Sequence, residues 1–134
     1  RALYLRPWDR LADLNEALVI EICGMLGITG VEFRVASSMD VSGAKSDLLA
    51  QICREAGANT YLTGTGASRV YLQEEPFRRA GVKVVFDEFT HPAYNQIWGD
   101  FCPYMSVVDL LFNEGAASLG VMETNCRIQR DRDL

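Results

Sequence analysis

A chain of 134 residues that is 49% hydrophobic can bury a genuine core, roughly two-thirds of the surface its unfolded form exposes. Its formal charge of −5 lacks the basic footprint that nucleic acid or an anionic membrane requires, so neither is expected as a partner. No apolar run approaches the ~20 residues of a transmembrane helix, no signal peptide is visible, and Cys23, Cys53, Cys102 and Cys126 are dispersed. The expectation is a reduced, cytoplasmic protein.

Leu11, Leu14, Leu18, Ile22 and Met25 recur at spacings of three and four, which predicts an amphipathic helix over residues 8–26 that Gly27 ends. Val31, Phe33 and Val35 alternate with charged residues, the pattern of a strand over 31–35. Ser46 is placed to cap a second helix, whose Leu48, Leu49, Ile52, Cys53 and Ala56 share one face up to Gly57. A short strand follows at 60–62, then a turn at Gly64 and Gly66. A weak helix is expected from Ser68 to Ala80, with Pro76 a potential break. Residues 82–86 read as the clearest strand. Strands separated by helical patterns imply parallel pairing, so the predicted fold is α/β, with three parallel strands in a three-layer, Rossmann-like sheet.

Residues 91–106 show neither a period of 2 nor one of 3.6, yet hold the only His, Trp98, Tyr94, Tyr104, Asn95 and Gln96. Long ordered loops of this kind are usually functional. A short helix follows: Ser106 offers the N-cap, Asp109 stands in capping-box position and Gly115 supplies the stop. Phe101, Leu110, Leu111 and Phe112 read as core. Beyond Gly115 the pattern fades into a partly disordered extension over 116–134, with a helical segment and a charged tail from Arg127.

His91 is the natural candidate for proton transfer, with Asp100 to orient it or act itself; the competing reading is a loop anchor. Tyr94 and Tyr104 can hydrogen-bond a polar substrate, Asn95 and Gln96 suit sugar hydroxyls or amides, and Trp98 can stack on a sugar ring. Gly64 and Gly66, between a strand end and a helix start, permit close approach of an anion, or simply make a tight turn. Lys45, at a helix start, is either a point charge for that anion or a solvated lysine. A single His falls short of any zinc spacing, so no metal site is expected. Cys102 shares the loop with His91 but packs between aromatics, and a nucleophilic role for it is the weaker reading.

The loop and its helix resemble a family signature: His91, Pro92, Tyr94 and Gln96, then Gly99, Phe101 and Pro103, then Ser106, Asp109, Leu110, Leu111, Phe112, Asn113 and Gly115. Upstream, Tyr61 to Gly64 with Gly66, Ala67, Tyr71 and Leu72, and Ala80 to Val82 with Phe86, fit the same pattern. These residues are similar to the carboxy-terminal portion of WbqC-like proteins, which occur in bacterial polysaccharide gene clusters. The resemblance spans about residues 7–115, and the α/β region is accordingly bounded at 1–115. It implies transfer of an acyl or aminoacyl (glycyl) group onto an amino sugar in surface-polysaccharide (O-antigen) synthesis. It further implies a small-molecule or nucleotide-sugar substrate, and names no cofactor. A lysine at the position of Lys45 also fits the family pattern. Members carry an amino-terminal half that opens on a motif not found after Arg1, so the missing amino-terminal half of the same protein is an expected partner. The alternatives are a non-catalytic nucleotide- or sugar-binding module and a structural interaction domain.

Overall fold

The computed structural model describes residues 2–124. In chain order its elements are α1 (Ala2–Leu5), α2 (Leu11–Met25), α3 (Lys45–Glu55), β1 (Thr60–Gly64), α4 (Ser68–Tyr71), α5 (Glu75–Arg79), β2 (Lys83–Asp87), α6 (Val107–Glu114) and α7 (Ser118–Glu123). Short 3₁₀ turns occupy Ala36–Ser38 and Gly115–Ala117. The chain divides into two compact units, one holding residues 2–33 and 91–124, the other residues 34–90.

In the second unit β1 and β2 pair in parallel, Thr60 opposite Lys83 through to Gly64 opposite Asp87. Two short helices, α4 and α5, bridge them, as parallel pairing requires a crossover rather than a hairpin. The core under the sheet is Ala50, Cys53, Phe77 and Val82, with Leu49, Tyr61, Leu72 and Val84 packed against it. Phe77 is 1% exposed and stacks on Tyr61 at 4.9 Å between ring centroids. Complete burial of such a ring contributes roughly 1.5–3 kcal/mol. Gly81 takes φ +70, which lets Val82 N–H reach back to the Phe77 carbonyl at 2.9 Å and launches β2.

Several expectations change here. Residues 31–35 do not form a strand, and the sheet among the described residues has two strands rather than three. Alternation reports an extended backbone, but a strand also needs a neighbour: Val31, Phe33 and Val35 are 54%, 45% and 42% exposed, and the boundary between the units falls within this segment. The helix expected over 68–80 is two helices, because Pro76 opens α5 in its first turn, where its missing N–H costs nothing. Ser46 is not a cap. Ala44 holds that position, while Ser46 is buried and its Oγ accepts the Gln73 N–H at 3.0 Å, tying α3 to the crossover. Gly64 is the last residue of β1, not part of the turn beyond it.

In the first unit α2 forms where the three–four spacing placed it. α6 is capped by Ser106, whose Oγ accepts the Val108 N–H at 3.3 Å, and it stops at Gly115. Leu110 is buried, but Phe112 is 82% exposed and Phe101 38%. Phe112 lies two residues, about 200°, around the helix from Leu110, so only one of them can face the core. Ser118 is fully buried and satisfies its hydroxyl by donating to the Gly115 carbonyl at 2.7 Å. α7 supplies a helical segment beyond Gly115; the charged tail expected from Arg127 lies outside the described residues. Among the described residues no helix is long and apolar enough to cross a membrane.

Candidate functional site

The loop at 91–106 has no internal period because it is held by side chains of α6 rather than by its own backbone. Asp109, Asn113 and Glu114 lie at spacings of four and five, on adjoining faces of α6. The Asp109 Oδ2 atom accepts from Tyr94 Oη at 2.8 Å and from Gln96 Nε2 at 2.9 Å. Asn113 Oδ1 accepts the Ile97 N–H at 3.1 Å, and Glu114 Oε1 accepts the Asn95 N–H at 3.1 Å. Asn113 is itself oriented by donating to the Asp109 carbonyl at 2.8 Å.

Gln96 closes the loop on itself. Its Oε1 accepts the Cys102 N–H at 2.8 Å and its Nε2 donates to the Cys102 carbonyl at 3.1 Å, a two-point pairing of the kind one strand makes with another. With the bond to Asp109, the Gln96 amide therefore spans three parts of the unit. The phenol of Tyr94 sits above its ordinary pKa, first because it is desolvated and then because the Asp109 carboxylate accepts its proton.

His91 is half-buried within a group of rings. Its ring centroid lies 5.2 Å from Tyr104, 6.1 Å from Phe101 and 6.2 Å from Tyr94, and Tyr94 meets Phe101 edge-on at 5.5 Å. The Nδ1 atom of His91 is buried. Tyr104 adopts φ +63, a left-handed conformation that costs a bulky side chain on the order of 1–3 kcal/mol, yet it is 83% exposed. Asp100 is exposed. Trp98 is 86% exposed and borders a cavity of about 360 Å³ that Gln96, Cys102, Asp109, Phe112 and Asn113 also line.

The remaining candidates belong to the other unit. Lys45 is the first residue of α3 and takes φ +53. Gly64 ends β1, and Gly66 lies in the bend before α4. Neither of these glycines has a positive φ, and a Cβ added at either would meet no atom within 4 Å. Thr63 Oγ1 donates to Ser68 Oγ at 3.0 Å across the same bend, and the Arg69 guanidinium lies over the Phe86 ring at 5.1 Å with Glu88 at 3.7 Å. α4 is a single turn, so it brings little macrodipole to an anion. His91, Tyr94, Gln96, Trp98 and Asp100 thus share one unit, and Lys45, Gly64 and Gly66 share the other.

Sequence reasoning missed Asn113 and Glu114 as organisers of the loop and cast Asp109 as a cap, although its carboxylate is directed to Tyr94 and Gln96. The available signal was the recurrence of Asp109 and Asn113 one turn apart on a helix that follows a polar loop. Among the described residues no three His, Cys, Asp or Glu side chains gather as a metal site would need. Cys53 is buried, which raises its thiol pKa, whereas Cys102 is exposed.

This arrangement of loop and α6 includes every residue of the signature, and the model of the WbqC-like protein family matches residues 1–120. The chain belongs to the WbqC-like protein family. A relative is the uncharacterized protein Rv1507c of Mycobacterium tuberculosis (strain ATCC 25618 / H37Rv), 39% identical over 109 residues. That match covers 79% of this chain and 46% of the relative, so the chain spans less than half the length of the curated relative it matches. No solved structure matches the chain. Within this family member the pinned loop, rather than the sheet, concentrates the polar and aromatic chemistry.

Proposed function

We propose that this WbqC-like chain forms part of a transferase that moves an acyl or aminoacyl group, such as glycyl, onto the amine of an amino sugar during bacterial surface-polysaccharide (O-antigen) synthesis in the cytoplasm. Family membership supports the general assignment. The observation that carries the sugar reading is the cavity beside Trp98, where an exposed indole borders the carboxylate of Asp109 and the amide of Asn113. An apolar ring face beside fixed donors and acceptors is the chemistry a pyranose presents in reverse.

In this reading His91 is the general base that takes a proton from the attacking amine, and Asp100 assists it. The amine then adds to the acyl carbonyl, the tetrahedral intermediate collapses, and the donor's leaving group departs. Tyr94 and Gln96 hold the loop in register while Trp98 stacks on the sugar. Gly64, Gly66 and Lys45, within the second unit, are assigned to bind an anion such as a phosphate; the open space around both glycines supports that role. The α/β region is taken as residues 1–115 with an extension from 116, and its two-stranded sheet as part of a three-layer, Rossmann-like domain. Leu62, 53% exposed on β1, supports a further layer, because parallel sheets are ordinarily covered on both faces.

A non-catalytic sugar-binding or interaction module is the second reading, favoured by the exposure of Trp98, Tyr104 and Phe112 in one unit. Transfer of labelled glycine or acetyl to a nucleotide-linked amino sugar by the full-length protein separates the two. Product formation is the expected result; saturable sugar binding without any product would favour the binding module.

A further inference from the structure

We infer that Tyr104 is a second aromatic platform for a sugar ring, distinct from Trp98 and placed beside His91. The inference rests on the sugar-site reading and adds to it a residue, a binding mode and a cost. Two independent observations carry it. Tyr104 and Lys45 are the two residues other than glycine with positive φ among the described residues, and an aromatic side chain is poorly suited to that conformation. Little burial offsets the strain, since the residue is 83% exposed.

A turn that only had to carry the chain from Pro103 to the cap at Ser106 would be served better by Gly or Asn at this position. What the strained backbone achieves instead is to hold a phenol ring 5.2 Å from the chain's single imidazole, tilted by 59°. The imidazole adjoins that ring at a tilt, while most of the ring's surface meets solvent. A flat ligand laid on Tyr104 is therefore brought beside His91. Strained residues persist where a surrounding structure fixes them, and the loop here is fixed by Ser106 on α6 and by Gln96 at Cys102. The ligand this suits is a pyranose, whose axial C–H face stacks and whose rim carries hydroxyls and an amine. The alternative ring of a nucleotide sugar, its base, is separated by experiment.

The test compares Tyr104→Asn and Tyr104→Phe with the unaltered sequence in the full-length protein. Glucosamine, UDP-N-acetylglucosamine and uridine are the probes, with calorimetric titration for binding and thermal unfolding for stability. Asn accepts the left-handed backbone, so Tyr104→Asn is expected to raise Tm by roughly 2–4 °C. It should also weaken both amino-sugar probes about tenfold, in line with loss of an aromatic stack. Tyr104→Phe should keep both affinities within about twofold, because stacking needs the ring and not the hydroxyl. Three results would overturn the inference: amino-sugar affinity unchanged in Tyr104→Asn, a Tm that falls in that variant, or loss of uridine binding with glucosamine unaffected. Binding is read without turnover, so absence of transfer in the parent protein leaves this outcome legible.

Discussion

Gln96 Nε2 meets Asp109 Oδ2 at 2.9 Å, and the same oxygen accepts from Tyr94 Oη at 2.8 Å. One carboxylate on α6 thus holds two points of the functional loop. Asp109→Ala strands two partly buried donors and should destabilise the first unit by about 2–3 kcal/mol. Tyr94→Phe removes one bond and should cost about 1 kcal/mol. Chemical denaturation of both single variants and the double variant measures the coupling. Additive losses would show that the two side chains do not share a bond.

The raised pKa of Tyr94 gives a pH dependence with a definite sign. The folded state holds the phenolic proton more tightly than the unfolded chain, so its stabilisation is fully present below the ordinary tyrosine value of about 10. It is lost as pH rises through the higher, folded value. The difference in unfolding free energy between the parent and Tyr94→Phe should therefore be constant from pH 6 to 9 and shrink above about pH 10. A difference that instead grows with alkalinity would contradict the hydrogen bond to Asp109.

Much of the fold is legible in the sequence where one local rule decides it. Ser106 and Gly115 bracket α6 because a hydroxyl satisfies a free N–H and a glycine accepts positive φ, and both are local matters. The parallel pairing of 60–64 with 83–87 follows from the helical residues between them. Residues 31–35 show where local rules end, since their alternation is real but pairing depends on a neighbour that a pattern does not name. The site is legible in part. The polar and aromatic density of 91–106 marks it, but the division of labour does not appear in composition. Whether the Gln96 amide meets a ligand or the Cys102 backbone is set by loop geometry, and whether Asp109 caps or anchors is set by which donors reach it first.

The glycines offer a separation of binding from folding. Gly64→Val and Gly66→Val introduce side chains with no atom within 4 Å of the new Cβ and no positive φ to strain, so each should change stability by less than about 1 kcal/mol. Binding of uridine diphosphate, as an anionic probe, should be lost in both. Gly81→Val is the control: its φ of +70 makes a branched residue cost about 1–2 kcal/mol or more. Unfolding of the Gly64 and Gly66 variants, with Gly81→Val tolerated, would assign the bend a structural role alone.

The central claim is that His91 performs chemistry rather than anchoring its loop. The direct measurement is the rate of aminoacyl or acyl transfer to a nucleotide-linked amino sugar by full-length His91→Ala protein, with its fold checked by circular dichroism and thermal unfolding. Loss of a general base predicts a fall of about a hundredfold or more in rate with the fold intact. Turnover equal to the parent's in a folded His91→Ala variant would contradict the claim and leave His91 as one more ring among Tyr94, Phe101 and Tyr104.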